Sequence, residues 1–417
     1  MTVNEFNKQY KISAEMQSKF NLIPDAKKQL GSSIAGKPKK MVIEIFKRFF
    51  SNPIVTISFV IFIAILLASI IIPLTSPYEA KVGVSKTRFS EYLPPLYSSS
   101  KTIPADYRNE IWKFYQTLKN SEFAKYYGFF LNTVSRDSTS SPDFNLTYNP
   151  YALHTVAALH ERLTLLKSSG KVINDAVVAE ELAKIPRLNT LLGTSETGYD
   201  IWTTTWYASW KAIRVALLVA IVQTVIGVSI GAFLGFHAGK MVDTIGMRII
   251  DIIQSLPELI WLLLFVIILG ANETTLIIAL ILVGWSTPVS TTRLFIITVK
   301  DEEYIVAAKS VGSSTARQVF VHALPAILGK IATNFVRRIP AIILSISALA
   351  FLGFFKEKDD VNLGQMLIDA LPQVSNNFWI LLLPSLILLT LSLSLQFVAL
   401  GVHDALDPKV ITKGRKR

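Results

Sequence analysis

The chain has 417 residues and carries 42 Lys+Arg against 30 Asp+Glu, a formal net charge of +12, yet only 17% of its residues are charged and 51% are hydrophobic. Soluble domains carry about 25% charged residues, so the balance excludes an ordinary soluble globule, a disordered chain and a basic nucleic-acid binder, and leaves a polytopic membrane protein. Cysteine is absent, which removes disulfides, thiolate metal sites and cysteine nucleophiles together.

Residues 1–52 form a basic tail with ten basic and four acidic residues. Within it, Gly31-Ser-Ser-Ile-Ala-Gly-Lys-Pro38 comes near a phosphate-binding loop. Pro38 offers no hydroxyl for magnesium and no apolar strand precedes Gly31, so the segment reads as a basic linker. Met41 to Phe50 alternates apolar residues with Lys47 and Arg48, as an amphipathic helix on a membrane surface does.

A membrane span needs roughly 20 mainly apolar residues to cross about 30 Å of hydrocarbon. Residues 53–73 meet this without a charge and read as an anchor, not a cleaved leader, because about fifty polar residues precede them. Five more spans follow at 212–236, 245–269, 275–299, 331–354 and 378–400. Between the first two, residues 74–210 form a long polar segment. Its stretches 105–134 and 152–166 have mixed helical periodicity and 135–150 reads as loop, which predicts a small, chiefly helical domain. Trp112, Phe114, Tyr115, Phe123, Tyr126, Tyr127, Phe129 and Phe130 are expected in its core. His154 and His160, six residues apart, lack companions for a metal site and read as surface histidines.

The charges assign sides. The two tails and the connections 237–248 and 293–330 sum to +12, whereas the long segment, Glu273 and residues 354–376 sum to −2. By the positive-inside rule both termini are expected in the cytoplasm and residues 74–210 outside.

Three features of the spans bear on function. Gly227, Gly231, Gly235 and Gly239 recur every four residues, a stripe suited to close helix packing, with the neighbour either in this chain or in a partner. Glu258, Arg337 and Arg338 are intramembrane charges. They either pair structurally or line a hydrated path that meets the charged ends of a peptide. No catalytic cluster appears.

The connection between the fourth and fifth spans reads Glu303-Tyr-Ile-Val-Ala-Ala-Lys-Ser-Val-Gly312, nine residues, then His322-Ala-Leu-Pro325. It predicts a short helix, a break at Gly312 and a second helix ended by Pro325. With Ala307, Ala308, Gly312, Leu324 and Pro325 on its spacing, it resembles the coupling loop of binding-protein-dependent ABC importer permeases, E-A-A-x-x-x-G then I-x-L-P. Leu192-Gly-Thr-Ser-Glu-Thr-Gly-Tyr-Asp200 resembles the L-G-T-D-x-x-G-R-D signature of the dipeptide/oligopeptide subfamily, with Gly193, Thr194, Gly198 and Asp200 in register. Leu349-Ala-Phe-Leu-Gly353, Leu363-Gly-Gln-Met366 and Asp404-Ala-Leu-Asp-Pro408 match further segments, so the resemblance covers about 190–408 and the first span. Three positions depart from it. Val306 replaces the acidic residue of the coupling motif, Ser195 and Tyr199 replace an Asp and an Arg, and Ile346 stands where a Glu is frequent.

The resemblance implies an all-α polytopic membrane protein, with six transmembrane helices of the ABC importer permease type and a mainly helical extracellular domain inserted between helices 1 and 2. It implies the non-catalytic C-type subunit of a permease pair, with residues 211–401 as the permease core, 300–325 as the cytoplasmic coupling loop and 402–417 as a second basic tail. The partners it implies are a homologous second permease, two cytoplasmic ATPase subunits that hold ATP and magnesium, an extracellular substrate-binding protein and peptide cargo, within a lipid bilayer. This chain itself would bind no cofactor, no metal and no nucleic acid. The same scaffold also carries nickel chelates, glutathione or antimicrobial peptides. A membrane receptor with an external ligand domain is the competing class, and it would have no use for the coupling loop.

Overall fold

The computed structural model describes residues 41–98, 100–137, 144–356 and 361–406. The basic linker at 31–38 and the residues after Leu406, including Asp407 and Pro408, lie outside them.

Helix α1 (Met41–Phe49) leads into α2 (Pro53–Thr75), the first long apolar helix, started by Asn52 as N-cap and Pro53 in its first turn. Phe49 and Phe50 meet Phe59 edge to face at 5.5 and 5.7 Å, fixing the turn between α1 and α2.

The inserted domain follows. Strand β1 (Lys101–Ala105) precedes α3 (Glu110–Lys119) and the short α4 (Gly128–Leu131), then β2 (Ser135–Arg136), β3 (Phe144–Tyr148), α5 (Pro150–Ser168) and α6 (Asp175–Ala183). The strands form an antiparallel sheet of order β1-β3-β2. This corrects the reading of 135–150 as loop. Phe144-Asn-Leu-Thr-Tyr148 alternates buried and more open positions, the period of a half-buried strand, and two short strands flank it. Tyr127, Phe130 and Phe123 are buried with Leu146, Leu153 and Leu159 in this domain's core, while Phe129 stays exposed. His154 is not on the surface but buried, and His160 is half-buried and meets the Tyr127 hydroxyl at 2.9 Å.

Helix α7 (Ile201–Phe236) begins eleven residues earlier than the apolar pattern predicts, because Asp200 caps it and its first three turns pack Thr203, Thr204, Thr205 and Ser209 inward. The third span is not continuous. Helices α8 (Met241–Gln254) and α9 (Glu258–Leu269) meet at a 74° bend, where Pro257 ends one helical register and starts the next. The fourth span comprises α10 (Glu273–Gly284) and α11 (Ser286–Ile297). Helix α12 (Glu303–Ser310) and the short α13 (Thr315–Arg317) follow, and a π-helical turn at Gln318–Ala323 runs on into α14 (Leu324–Phe351). Pro325 therefore does not end a helix. The Leu324 amide bonds back five residues to Val319, and this wider turn absorbs the donor that proline lacks. Helices α15 (Leu363–Ala370) and α16 (Trp379–Leu406) complete the chain.

Among the described residues, five helical spans are long and apolar enough to cross a membrane, or six with the bent α8/α9 pair counted as one. One continuous apolar core joins α2, α7, α9, α10, α14, α15 and α16.

Candidate functional site: a polar node, a cleft and an exposed helical tip

Along α7, three of the four glycines press on α11. A Cβ at Gly227 would lie 2.6 Å from the Pro288 Cβ, at Gly231 2.5 Å from the Val289 carbonyl oxygen, and at Gly235 2.8 Å from that of Arg293. Their neighbour is in this chain. Gly239 is not on that face. It follows the helix end with φ +85° and has nothing within 4 Å of a Cβ. Beside it, Asp243 accepts from the Gly239 amide at 3.0 Å and pairs two-pronged with Arg293, so the α7–α8 turn is tied to α11.

The α7/α11 contact leads to an intramembrane node that the apolar pattern conceals. Arg338 on α14 donates from Nε to Gln223 Oε1 at 2.6 Å and from Nη2 to the Gly284 carbonyl at 2.8 Å. That carbonyl needs a donor, because four residues on, where a helix would supply an amide, stands Pro288. Arg338 replaces the missing N–H at the α10–α11 break. Gln223 is fully buried and donates to the Leu280 carbonyl at 2.6 Å. Gly284 has no room for a side chain, since a Cβ would sit 2.0 Å from Gln223 Nε2. The sequence does carry the clue: a lone glutamine in an apolar span, and a glycine four residues before a proline.

Glu258 and the arginines form no ion pair. Glu258 lies within electrostatic reach of Arg338, but its Oε1 is buried without a hydrogen-bond partner among the described residues. Arg337 and Arg338 both line a cleft of about 210 Å³ between α7, α11 and α14.

At one end of the helices, the signature loop works as a staple. Thr194 Oγ1 donates to the Ser90 carbonyl at 2.8 Å and accepts from the Leu93 amide at 2.9 Å. Gly193, at φ +86°, lies so close to the Leu93 carbonyl that a Cβ would come within 2.2 Å of it. Gly198, at φ +75°, turns the loop back. Asp200 caps α7 through the Thr203 amide at 2.9 Å and hydroxyl at 2.6 Å, while its Oδ1 is buried and unpartnered among the described residues. Burial raises its carboxyl above the usual range and the Thr203 bonds oppose that. Asn377 reaches the Leu192 carbonyl at 2.7 Å, joining the loop to the start of α16. Gly364 in α15 touches α14 so closely that a Cβ would lie 2.1 Å from the Ser347 carbonyl.

At the other end, α12 projects and closes with a Schellman motif. Gly312 has φ +83°, its amide bonds Lys309 O at 3.0 Å, and the Ser313 amide bonds Ala308 O at 3.0 Å. Gln318 clamps the turn by donating to the Ser313 carbonyl at 2.6 Å. Ile305 is buried among Ile296, Val319 and Ile327, whereas Glu303, Tyr304, Val306, Ala307 and Val311 are exposed and Ala308 is half-buried. Leu324 and Pro325 sit behind the tip, at the start of α14.

A bundle of long apolar helices, with proline breaks, an internal arginine and a rigidly capped helical tip at one end, describes the membrane component of a transporter. Comparison with known proteins agrees. Residues 227–412 match the binding-protein-dependent transport system inner membrane component, and residues 41–95 match the N-terminal TM domain of oligopeptide transport permease C. An oligopeptide transport system permease protein of Mycoplasma pneumoniae is 34% identical over 393 residues, 91% of this chain and 93% of the relative. Its counterpart in Mycoplasma genitalium is 32% identical over 391 residues, 91% and 93%. A dipeptide transport system permease protein of Bacillus subtilis is 31% identical over 244 residues, 58% and 75%. The chain belongs to the family of binding-protein-dependent transport system inner membrane components, the multi-pass membrane subunits of ABC importers.

Proposed function

We propose that the chain is one of two homologous permease subunits of an ATP-driven importer of oligopeptides or dipeptides, forming half of the translocation path. The relatives' names supply the cargo class. Both termini and α12 face the cytoplasm, as the concentration of positive charge on the tails and short connections supports. Two ATPase subunits bind and hydrolyse ATP there, and an external binding protein delivers peptide on the opposite side.

The observation that carries this reading is the α12 tip. A capped, clamped turn that exposes Tyr304, Val306 and Val311, yet is rooted through Ile305 between α11 and α14, transmits a push to the spans instead of dissipating it. With Val306 at the usual acidic position, the contact to the ATPase is apolar at that point. The test is uptake of labelled peptide by vesicles containing this chain and its partner chains. Gly312→Val strains the left-handed turn and lowers ATP-driven uptake by about tenfold, while the subunits still copurify. Uptake equal to the parent would sink the coupling role. Transport of a nickel chelate or glutathione in place of peptide would reassign the cargo.

A further inference from the structure

We propose that Arg337 and the cleft beside it form a carboxylate-binding subsite of the translocation path, which takes the free C-terminal carboxylate of the passing peptide; this rests on the reading of the chain as a peptide importer. Arg337 lies in α14 roughly 20 Å from the helix's end at Phe351, at 1.5 Å per residue, well inside the span. Its side chain is exposed and has no hydrogen bond or ion pair among the described residues. Its neighbour differs on both counts. Arg338 spends Nε and Nη2 on Gln223 and Gly284, so those donors are already engaged.

An arginine turned toward lipid at this depth costs several kcal/mol, and such residues face hydrated cavities or partners. A cavity is present. The cleft of about 210 Å³ places Thr287, Thr291, Asn334 and Arg337 on one wall system, with two arginines and no acidic residue in its lining. Its charged lining groups are guanidiniums and its other polar groups are hydroxyls and an amide, set in a mainly apolar wall, which suits a carboxylate held by a guanidinium fork. Its volume is below that of sites enclosing a drug-sized ligand, about 300–1,000 Å³, so it accommodates one end of a chain and not a whole oligopeptide. A short stay at one end is what a path requires, because a site that held the entire cargo would retain it.

The test uses the complete importer in vesicles and compares uptake of one peptide as its free acid and as its C-terminal amide. Holding the binding protein constant, Arg337→Gln lowers the acid-to-amide uptake ratio about tenfold, the loss of one charge-assisted contact, and Arg337→Lys retains most of the ratio. A ratio unchanged in Arg337→Gln overturns the proposal, whether total uptake is preserved or falls, since a packing role or an ion pair with the second permease depresses both peptides alike. If Arg337→Gln does not assemble, Thr291→Val and Asn334→Leu strip the polar wall and leave the cation in place. The ratio falls with them too, and a ratio held at the parent's value overturns the subsite. Uptake of neither peptide by the parent importer overturns the peptide reading itself, a result distinct from any outcome in the variants.

Discussion

Arg338 shows how one residue can complete a helix that is not its own. The break between α10 and α11 leaves the Gly284 carbonyl without an amide because Pro288 has none, and the guanidinium supplies the bond across the interface. Arg338→Ala therefore orphans a buried carbonyl and the Gln223 amide oxygen together, and is expected to cost about 3 kcal/mol of stability. Pro288→Ala restores an intrahelical donor. The double variant should accordingly lose clearly less than the sum of the two single variants, by about 1 kcal/mol or more, read from thermal unfolding in detergent. Strict additivity would show that the two groups do not serve the same carbonyl. A reading from sequence stops short here. The charge of Arg338 is legible and its depth is legible, but its partners lie 115 and 54 positions away and are decided by packing. Glu258, the obvious counter-charge, turns out to lie near without bonding.

At the scale of elements, the same limit has a physical pattern. Long apolar runs announce the spans, and glycine or proline announces where a run is interrupted. How the interruption resolves depends on tertiary support. Pro257 produces a 74° bend, whereas Pro325 is absorbed in a π turn and leaves α13 to α14 continuous. Both prolines look alike in sequence. The start of α7 was hidden for another reason: its first turns bury hydroxyls, which hydropathy scores as loop. The glycine stripe separates by environment. Gly231→Ala puts a Cβ 2.5 Å from the Val289 backbone, which cannot yield without moving α7 off α11, and should cost about 2–3 kcal/mol. Gly239→Ala meets no atom and pays only for its positive φ, about 1 kcal/mol. Equal losses in a denaturation series would refute the assignment of close packing to Gly231 and not to Gly239. In the inserted domain, α5 buries His154, and desolvation lowers its pKa to about 4. Burial lowers His160 as well. Folded His154 stays neutral down to pH about 4, while the unfolded imidazole takes its proton near 6.5. The contribution of His154 to the domain's stability is then flat above pH 6.5 and falls by up to about 3 kcal/mol between 6.5 and 4. Hydrogen exchange of α5 in the intact protein should accelerate over that window, and His154→Leu should remove much of the acceleration. An identical pH profile in the variant would mean that His154 does not titrate across folding.

For the whole molecule, the question is what the inserted domain contributes to import. It is a folded unit with its own core, yet it is stitched to the bundle at its base. Thr194 bonds both Ser90 and Leu93, Tyr151 donates to the Pro94 carbonyl at 2.7 Å, and the Leu96 amide reaches Leu191 O at 3.4 Å. A deletion running from residue 80 to 188 would remove the chain that the signature loop grips, and would expose Gly193 and Thr194 along with whatever the domain itself does. Removing residues 98–187 instead leaves Ser90, Leu93 and Leu96 opposite Leu191 and Thr194, where the two ends already run side by side. The shortened chain should insert and copurify with its partners, because the apolar core of α2, α7 and α14 to α16 contains no residue from the deleted part. On the proposed orientation the domain faces the binding protein. The deletion should then raise the binding-protein concentration needed for half-maximal uptake by about tenfold, while uptake at saturation stays within about twofold of the parent. A loss at saturation with no change in that concentration would place the domain's role in the movement of the helices and not in docking.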